Sequence, residues 1–317
     1  MTEIQETPLP KTLQQAVKAF ADEQFCIDLI AAMRWADGQA VCPKCSQKNN
    51  HFMASRKVWQ CKNKECKKQF SVKVGTIFED SAIALEKWLL AMWMMVNAKN
   101  GISSYEIHRS LGVTQKTAWF MMHRIRLVLQ NGSLDRKLTG EVEADETYIG
   151  GKARNMHKDK QQKALKAEGY FRKAVVMGML ERDGEVRTKV LNVASAKVLA
   201  REIRANVEPG STLYTDQLAS YTRVGQEYAH HVINHAQEYV RGNVHTNGIE
   251  NFWSLLKRGI KGTYVSVEPF HLFRYLDEQS FRFNTRKSND QGRFISALSS
   301  IQGKRVEYKD LIGQTKI

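Results

Sequence analysis

Four cysteines constrain this chain more than any other residues in it. Cys42 and Cys45 form a C-x2-C pair, Cys61 and Cys66 a C-x4-C pair, and fifteen residues separate the two. Two close pairs joined by a stretch long enough for one hairpin can bring four thiolates around a single tetrahedral ion, and Zn²⁺ is the cation that accepts such a set. A ribbon this short carries little apolar side chain, with Val58, Trp59, Phe70 and Val72 as its expected core, so the metal would supply much of its folding free energy. His51 reads as a loop residue rather than a ligand. The fifth cysteine, Cys26, lies in AFADEQFCIDLIAAMRW, where a thiol reads as a small buried apolar group.

The ribbon is basic. Nine Lys or Arg fall between residues 44 and 73 against one acid, Glu65, and the whole chain carries a net charge of +15. Such a surplus points to a polyanionic partner, nucleic acid before an anionic membrane surface. No apolar run reaches the ~18 residues that span a bilayer, and MTEIQETPLPKTLQQ has no signal-peptide pattern. The expectation is a cytoplasmic, nucleoid-associated protein without a membrane partner, whose cysteines are reduced or bound to metal.

Around the ribbon the periodicity is helical. Residues 11–35 read as one or two helices, and 81–97 as a helix whose wide apolar face (Leu85, Trp88, Leu89, Met92, Trp93, Val96) suits a core. Ser103-x-x-Glu106 is a capping box, Leu111-Gly112-Val113 a turn, and Thr114 the cap of a second helix with Trp119, Met122, Ile125 and Leu129 facing inward. Two helices about a three-residue turn with a central glycine make a helix-turn-helix pattern. In that motif Thr114, Gln115, Lys116 and Thr117, at the start of the second helix, would face DNA.

After Asn131-Gly132-Ser133, read as a linker, the pattern becomes that of strands. EVEADETYIGG (141–151) alternates, with Asp145 inside it. The lysine-rich stretch 151–173 has no apolar period and reads as a mobile basic loop. Ala174–Leu180 and Arg187–Val193 flank an Asp-Gly turn. A helix at 196–207, a strand at 211–215 ending on Asp216, a helix at 217–224 and a last strand at 230–234 follow. This order implies a mixed α/β sheet with helices on its faces.

The run His245–Tyr264, HTNGIENFWSLLKRGIKGTY, closes the series as an amphipathic helix. Ile249, Phe252, Trp253, Leu256 and Ile260 form its apolar face. Asn247, Glu250, Ser254, Lys257 and Lys261 form the neighbouring polar stripe. Asp145, Asp216 and Glu250, carried by separate elements, are hard oxygen donors of the kind a two-Mg²⁺ site requires. Two such ions ~3.5–4 Å apart serve an in-line displacement at phosphorus, and Mn²⁺ can replace Mg²⁺.

The runs EADETYIGGK, YTDQLASY, HTNGIENFWSLLKRGIKGTY and RYLDEQSFRFNTR, in this order, resemble bacterial insertion-sequence DDE transposases with an N-terminal zinc ribbon, the ISXO2-like domain of the insertion sequence 1595 group. The resemblance extends from Cys42 to about Arg286. It implies a ribonuclease-H-like catalytic core in which Asp145, Asp216 and Glu250 hold the catalytic metals. It implies that Lys257, with Arg258 and Lys261 beside it, contacts DNA at the scissile end. The third position can be Asn or Glu in this group, so Asn247 is the substitute for Glu250. Glu143 and Glu146 are weaker metal candidates. It also implies double-stranded DNA, both transposon ends and target, as partner, and a homo-oligomer assembled on it.

The expected organisation is an N-terminal helical segment (1–37), a zinc ribbon (38–78), a helix-turn-helix domain (79–132), a catalytic domain (138–290) and a C-terminal tail (291–317). The expected function is binding of terminal inverted repeats followed by Mg²⁺-dependent cleavage and strand transfer. The alternatives are a domesticated DNA-binding regulator with a silent catalytic fold, and a ribonuclease-H-like nuclease. Intact acids and Lys257 weigh against the first. The two N-terminal DNA-binding modules, which a nuclease does not need, weigh against the second.

Overall fold

A computed structural model describes residues 8–48, 50–130, 136–150, 173–216, 227–233 and 245–312. It divides into two compact units, residues 1–130 with 285–317, and residues 131–284.

In the first unit, α1 (Leu13–Phe20) and α2 (Glu23–Arg34) are capped by Thr12 and Asp22, whose side chains accept backbone N–H groups of the first turn. A three-stranded antiparallel sheet follows in the order β1 (His51–Met53), β2 (Val58–Gln60), β3 (Gln69–Phe70). Its core holds Trp59, Phe70 and Val72 as expected, with Val58 only half-buried. It also takes Trp35 from the end of α2 and Phe52, with ring centroids 5.0 and 4.7 Å from Trp59. His51, expected in a loop, begins β1.

Helix α3 (Leu85–Asn97) starts later than the periodicity suggests because Lys73 Nζ donates to the carbonyls of Ser81 and Ile83 and holds that stretch extended. Its Trp88, Leu89, Met92 and Trp93 are almost fully buried. Helices α4 (Ser104–Leu111) and α5 (Gln115–Val128) are joined through Gly112, which takes φ +59 as the left-handed cap that glycine tolerates. The Ser103–Glu106 capping box forms in both directions. Residues 285–312 belong to this unit. Phe294, on a helix at Asp290–Leu298, packs on Phe20 and Trp93.

The second unit is built on a five-stranded sheet of β4 (Glu141–Ile149), β5 (Ala174–Glu181), β6 (Val186–Leu191), β7 (Thr212–Asp216) and β8 (Ala229–Ile233), in the order β6-β5-β4-β7-β8. The β6, β5 and β4 pairings are antiparallel, and those of β4 with β7 and β7 with β8 are parallel. Alternation along the strands supplies two apolar faces. Val142, Ala144, Val175, Met177 and Met179 pack with Leu199, Ala200 and Ile203 of α6 (Ala196–Asn206). Val176, Leu180 and Val186 pack on the other face with Ile249, Phe252, Trp253 and Leu256 of α7 (Asn247–Gly259) and with Leu272, Leu276 and Phe283 of α8 (Leu272–Asn284). The helix expected through residue 264 continues past Gly259 as a π-helical turn, Ile260–Tyr264, whose Tyr264 hydroxyl bonds the buried Glu278. The linker 131–133, nearly all of the basic stretch 151–173 and the expected helix 217–224 lie outside the described residues. Among the described residues no helix is long and apolar enough to cross a membrane.

Candidate active site and metal centre

The thiol cluster is assembled by short turns. Ser46 and Lys67, each just past the second cysteine of a pair, take φ +59 and +45 and fold the chain back over the sulfurs. The four Sγ atoms of Cys42, Cys45, Cys61 and Cys66 lie within 4.8 Å of one another. Cys42 and Cys66 are 3.7 Å apart, and Cys45 and Cys61 3.5 Å. A tetrahedral ion with bonds of about 2.3 Å needs sulfur–sulfur edges of roughly 3.8 Å, so the cluster fits Zn²⁺. Burial disfavours the thiolate at Cys42, but hydrogen bonds from the backbone N–H groups of Cys45 and Lys44 and from the Cys45 and Cys61 thiols together outweigh it and bring the pKa down to about 7. At Cys61 burial prevails and pushes the thiol up to about 12. A cation is what would let all four ionise together.

The second site lies where the parallel pairing of β4 with β7 runs out, at the middle of β4 and the C-terminal end of β7. Ala144 pairs with Thr215, so Asp145 and Asp216 follow side by side on β4 and β7. Helix α7 supplies Glu250, Ser254 and Lys257. With Glu146, Thr147, Thr246 and Trp253 these residues line a cleft of about 410 Å³. Its donors are carboxylates and hydroxyls, the hard oxygens that suit Mg²⁺ or Mn²⁺, with no thiol or imidazole among the described lining residues. Burial pushes the Asp145 carboxyl up to about 6, and the negative charges of Glu146 and Asp216 add to the rise, whereas the Trp253 N–H works against it. A bound cation would offset that repulsion. Among the described residues only the thiols gather tightly enough to hold an ion as they stand. Carboxylates without a cation repel one another, and a site for two ions spreads its ligands across both.

Alternation on β4 puts Glu143 on the same face as Asp145, but the two are used differently. Glu143 is 1% exposed and does not line the cleft. It accepts from Arg182 Nε at 3.0 Å and from the backbone N–H of Ile249 at 2.8 Å. It therefore caps α7, whose own Thr246 makes no side-chain cap. Gly248 is required there, since a Cβ would lie 2.8 Å from the Glu143 carboxylate and 2.7 Å from Leu180. Arg182 also donates to the His245 carbonyl at 2.8 Å and stacks over Tyr214. Glu146, which alternation turns to the opposite face, nonetheless lines the cleft.

The other sequence candidates fall as follows. Glu250 is exposed at the cleft and accepts from Thr246 Oγ1 at 3.0 Å. Lys257 is exposed and lines the cleft, two turns further along α7. Asn247, Arg258 and Lys261 are exposed but do not line it. In the first unit Thr114 caps α5 through Thr117 N, Gln115 Nε2 donates to Ser104 Oγ at 2.8 Å, and Lys116 Nζ lies 4.6 Å from the Tyr308 ring centroid. Sequence reasoning missed Trp253 as a site residue, because an indole on an apolar stripe reads as core. Its place beside Ser254 at the edge of that stripe was the available signal.

The four-thiol ribbon thus belongs to the first unit, and the acid-lined cleft on the mixed sheet to the second. Residues 137–284 match the ISXO2-like transposase domain and residues 21–69 the transposase zinc-ribbon domain. The chain is 29% identical over 255 residues, 76% of its length and 84% of the relative's, to an uncharacterized protein in transposable element ISH50 of Halobacterium salinarum. It is 36% identical over 110 residues, 34% of its length and 88% of the relative's, to an uncharacterized transposase-like protein of Haemophilus influenzae. The chain belongs to the insertion-sequence transposases that join a zinc ribbon to an ISXO2-like domain.

Proposed function

We propose that this transposase binds the terminal inverted repeats of its own element and performs Mg²⁺-dependent strand cleavage and strand transfer. The observation that carries the reading is the meeting of Asp145, Asp216, Glu250 and Lys257 in one cleft from three separate elements. We read the strand order, three antiparallel strands followed by two added in parallel, as ribonuclease-H-like. Asp145, Asp216 and Glu250 would hold the Mg²⁺, with Asn247 as the substitute third ligand. When bound, Mg²⁺ supplies the Lewis acidity that activates an attacking hydroxyl and stabilises the leaving oxygen. Lys257 engages a backbone phosphate beside the scissile one, and Arg258 and Lys261 extend that contact along the duplex.

In the first unit we read α4 and α5 as a helix-turn-helix, with Thr114, Gln115, Lys116 and Thr117 presented to base edges and phosphates. The basic ribbon adds phosphate contacts and holds Zn²⁺ through its four cysteines. Cutting two ends of one element calls for at least two copies of the chain on DNA.

The test is a strand-cleavage assay on the ends of the chain's own element with Mg²⁺, comparing the parent with Asp145→Asn and Asp216→Asn. End-specific cleavage by the parent alone is the expected result. Specific binding without cleavage by any protein would instead indicate a regulator with a silent site, and cleavage without end preference a nuclease.

A further inference from the structure

Trp253 lies in α7 with its benzo edge in the apolar layer and its N–H turned out of it. The side chain is 4% exposed, and it forms one wall of the acid cleft. Its Nε1 donates to Asp145 Oδ2 at 2.9 Å, while Asp145 Oδ1 accepts from the backbone N–H of Glu146 at 2.8 Å. Both oxygens of this carboxylate are thus held, each by one donor, and each keeps a lone pair for a cation.

The indole reaches Asp145 only because of the residue across the ladder. Asp145 pairs with Gly178 of β5. A Cβ on Gly178 would lie 2.6 and 2.7 Å from two indole carbons and 2.8 Å from Ile249 Cδ1. Gly178 sits inside β5, where glycine weakens a strand, and its φ is not in the left-handed region. Its smallness is therefore a matter of space. Without a side chain at this point the ring packs closely against β5 and its N–H reaches Asp145 on the neighbouring strand.

We infer that Trp253, seated by Gly178, is a positioning residue for the divalent cation: it fixes the rotamer of Asp145 so that the carboxylate presents its open lone pairs to the cleft. This rests on the reading of Asp145, Asp216 and Glu250 as the Mg²⁺ ligands. Groups that orient metal ligands in this way are worth 10- to 100-fold in affinity or activity, and a ligand left free to rotate loses that advantage.

The experiment is direct titration of the zinc-loaded full chain with Mn²⁺, bound ion being counted by its magnetic resonance signal, for the parent, Trp253→Phe, Gly178→Ala and Asp145→Asn. Trp253→Phe keeps the aromatic body and loses the N–H. Gly178→Ala keeps the indole and pushes it off the strand. Each should weaken Mn²⁺ binding about 10- to 100-fold, with circular dichroism and zinc content as in the parent. Cleavage by both variants should recover as the Mn²⁺ concentration is raised, which a folding defect would not allow. If Trp253→Phe is unstable, Gly178→Ala carries the test alone. Parental Mn²⁺ affinity in a folded Trp253→Phe or Gly178→Ala protein overturns the positioning role and leaves the metal reading standing. A parent that binds no more Mn²⁺ than Asp145→Asn removes the metal reading, and the positioning role with it.

Discussion

The ribbon and the acid cleft gather metal donors by opposite routes. In the ribbon the donors sit in two short turns, and the surrounding core is a few aromatic rings around Trp59. In the cleft they come from β4, β7 and α7, and two apolar layers beneath them bury more than a dozen side chains without help. The first region would fold because it binds a cation. The second would bind a cation because it has folded, and it keeps at Asp145 a carboxylate charge that the fold alone disfavours. The lesson is that two candidate metal sites in one chain can stand on opposite sides of the folding equilibrium.

The largest expected effect separates them directly. Stripping Zn²⁺ with a strong chelator should abolish protection from hydrogen exchange across residues 40–75 and leave β4 and β5 protected. Structural Zn²⁺ contributes apparent free energies of ~10–16 kcal/mol in small domains, far more than this core could replace. A Cys61→Ser protein should behave as the stripped parent does. If the ribbon stays protected without metal, or the sheet of residues 131–284 opens with it, the contrast fails.

The reverse treatment should spare the fold and remove the chemistry. Asp145→Asn, Asp216→Asn and Glu250→Gln should each slow Mg²⁺-dependent cleavage of element ends by more than the ~10- to 100-fold typical of groups that only support ligands. Affinity for the ends, measured by gel shift, should stay close to the parent's. If Glu250→Gln keeps full activity while Asn247→Ala loses it, the third ligand is Asn247.

The two routes also differ in how far a sequence discloses them. Ribbon ligands follow from spacing alone, because the turns that join them span only a few residues. Trp35 reaches the ribbon core from the end of α2, and no local pattern in the sequence announces it. Likewise the 3.6-residue period separates the buried and polar faces of α7. It says nothing of which buried side chain carries a donor at its rim, and so Trp253 read as packing. Period-two alternation placed Glu143 on the face of Asp145, yet depth decides use: Glu143 lies under the N-terminus of α7 and is consumed as its cap. That β7 lies beside β4, and so brings Asp216 next to Asp145, depends on sheet order, which pairwise register determines and composition does not.

A smaller effect concerns the cation the cleft already has. Lys257→Ala should slow cleavage about tenfold at moderate salt, roughly the worth of 1.4 kcal/mol. It should also lower the slope of log affinity against log salt by about 1, the signature of one lost phosphate contact. The loss should be partly hidden at low salt, where the remaining Lys and Arg contacts bind more tightly. Lys257→Arg should keep part of the activity, since charge survives while geometry changes. Cleavage by Lys257→Ala equal to the parent's at every salt concentration would make Lys257 a solvated surface residue.

The smallest effect runs against ordinary expectation for a damaged site. Asp145 has its carboxyl raised from 3.8 to about 6, chiefly by burial. The folded chain therefore holds this proton more tightly than the unfolded chain does. The stability that difference confers is fully present below the unfolded value of 3.8 and is lost as pH rises through about 6. Two pH units amount to roughly 3 kcal/mol, so at pH 8 without Mg²⁺ the ionised carboxylate burdens the second unit by that order. The amide introduced by Asp145→Asn would carry no charge. Its single carbonyl oxygen can still accept from Trp253, but the bond from the Glu146 N–H is lost, at about 1 kcal/mol. The Asp145→Asn protein should thus be more stable than the parent by ~1–2 kcal/mol at pH 8 in the absence of Mg²⁺, as read from denaturant dependence of hydrogen exchange in β4 and β5. The gap should close towards pH 4, where the parental carboxyl is protonated. Saturating Mg²⁺ should narrow or invert it, because a ligand that binds only the folded parent stabilises it by mass action. A variant that is less stable than the parent at pH 8 without Mg²⁺ would mean that the fold already accommodates this charge, and the cleft would then resemble an ordinary polar surface.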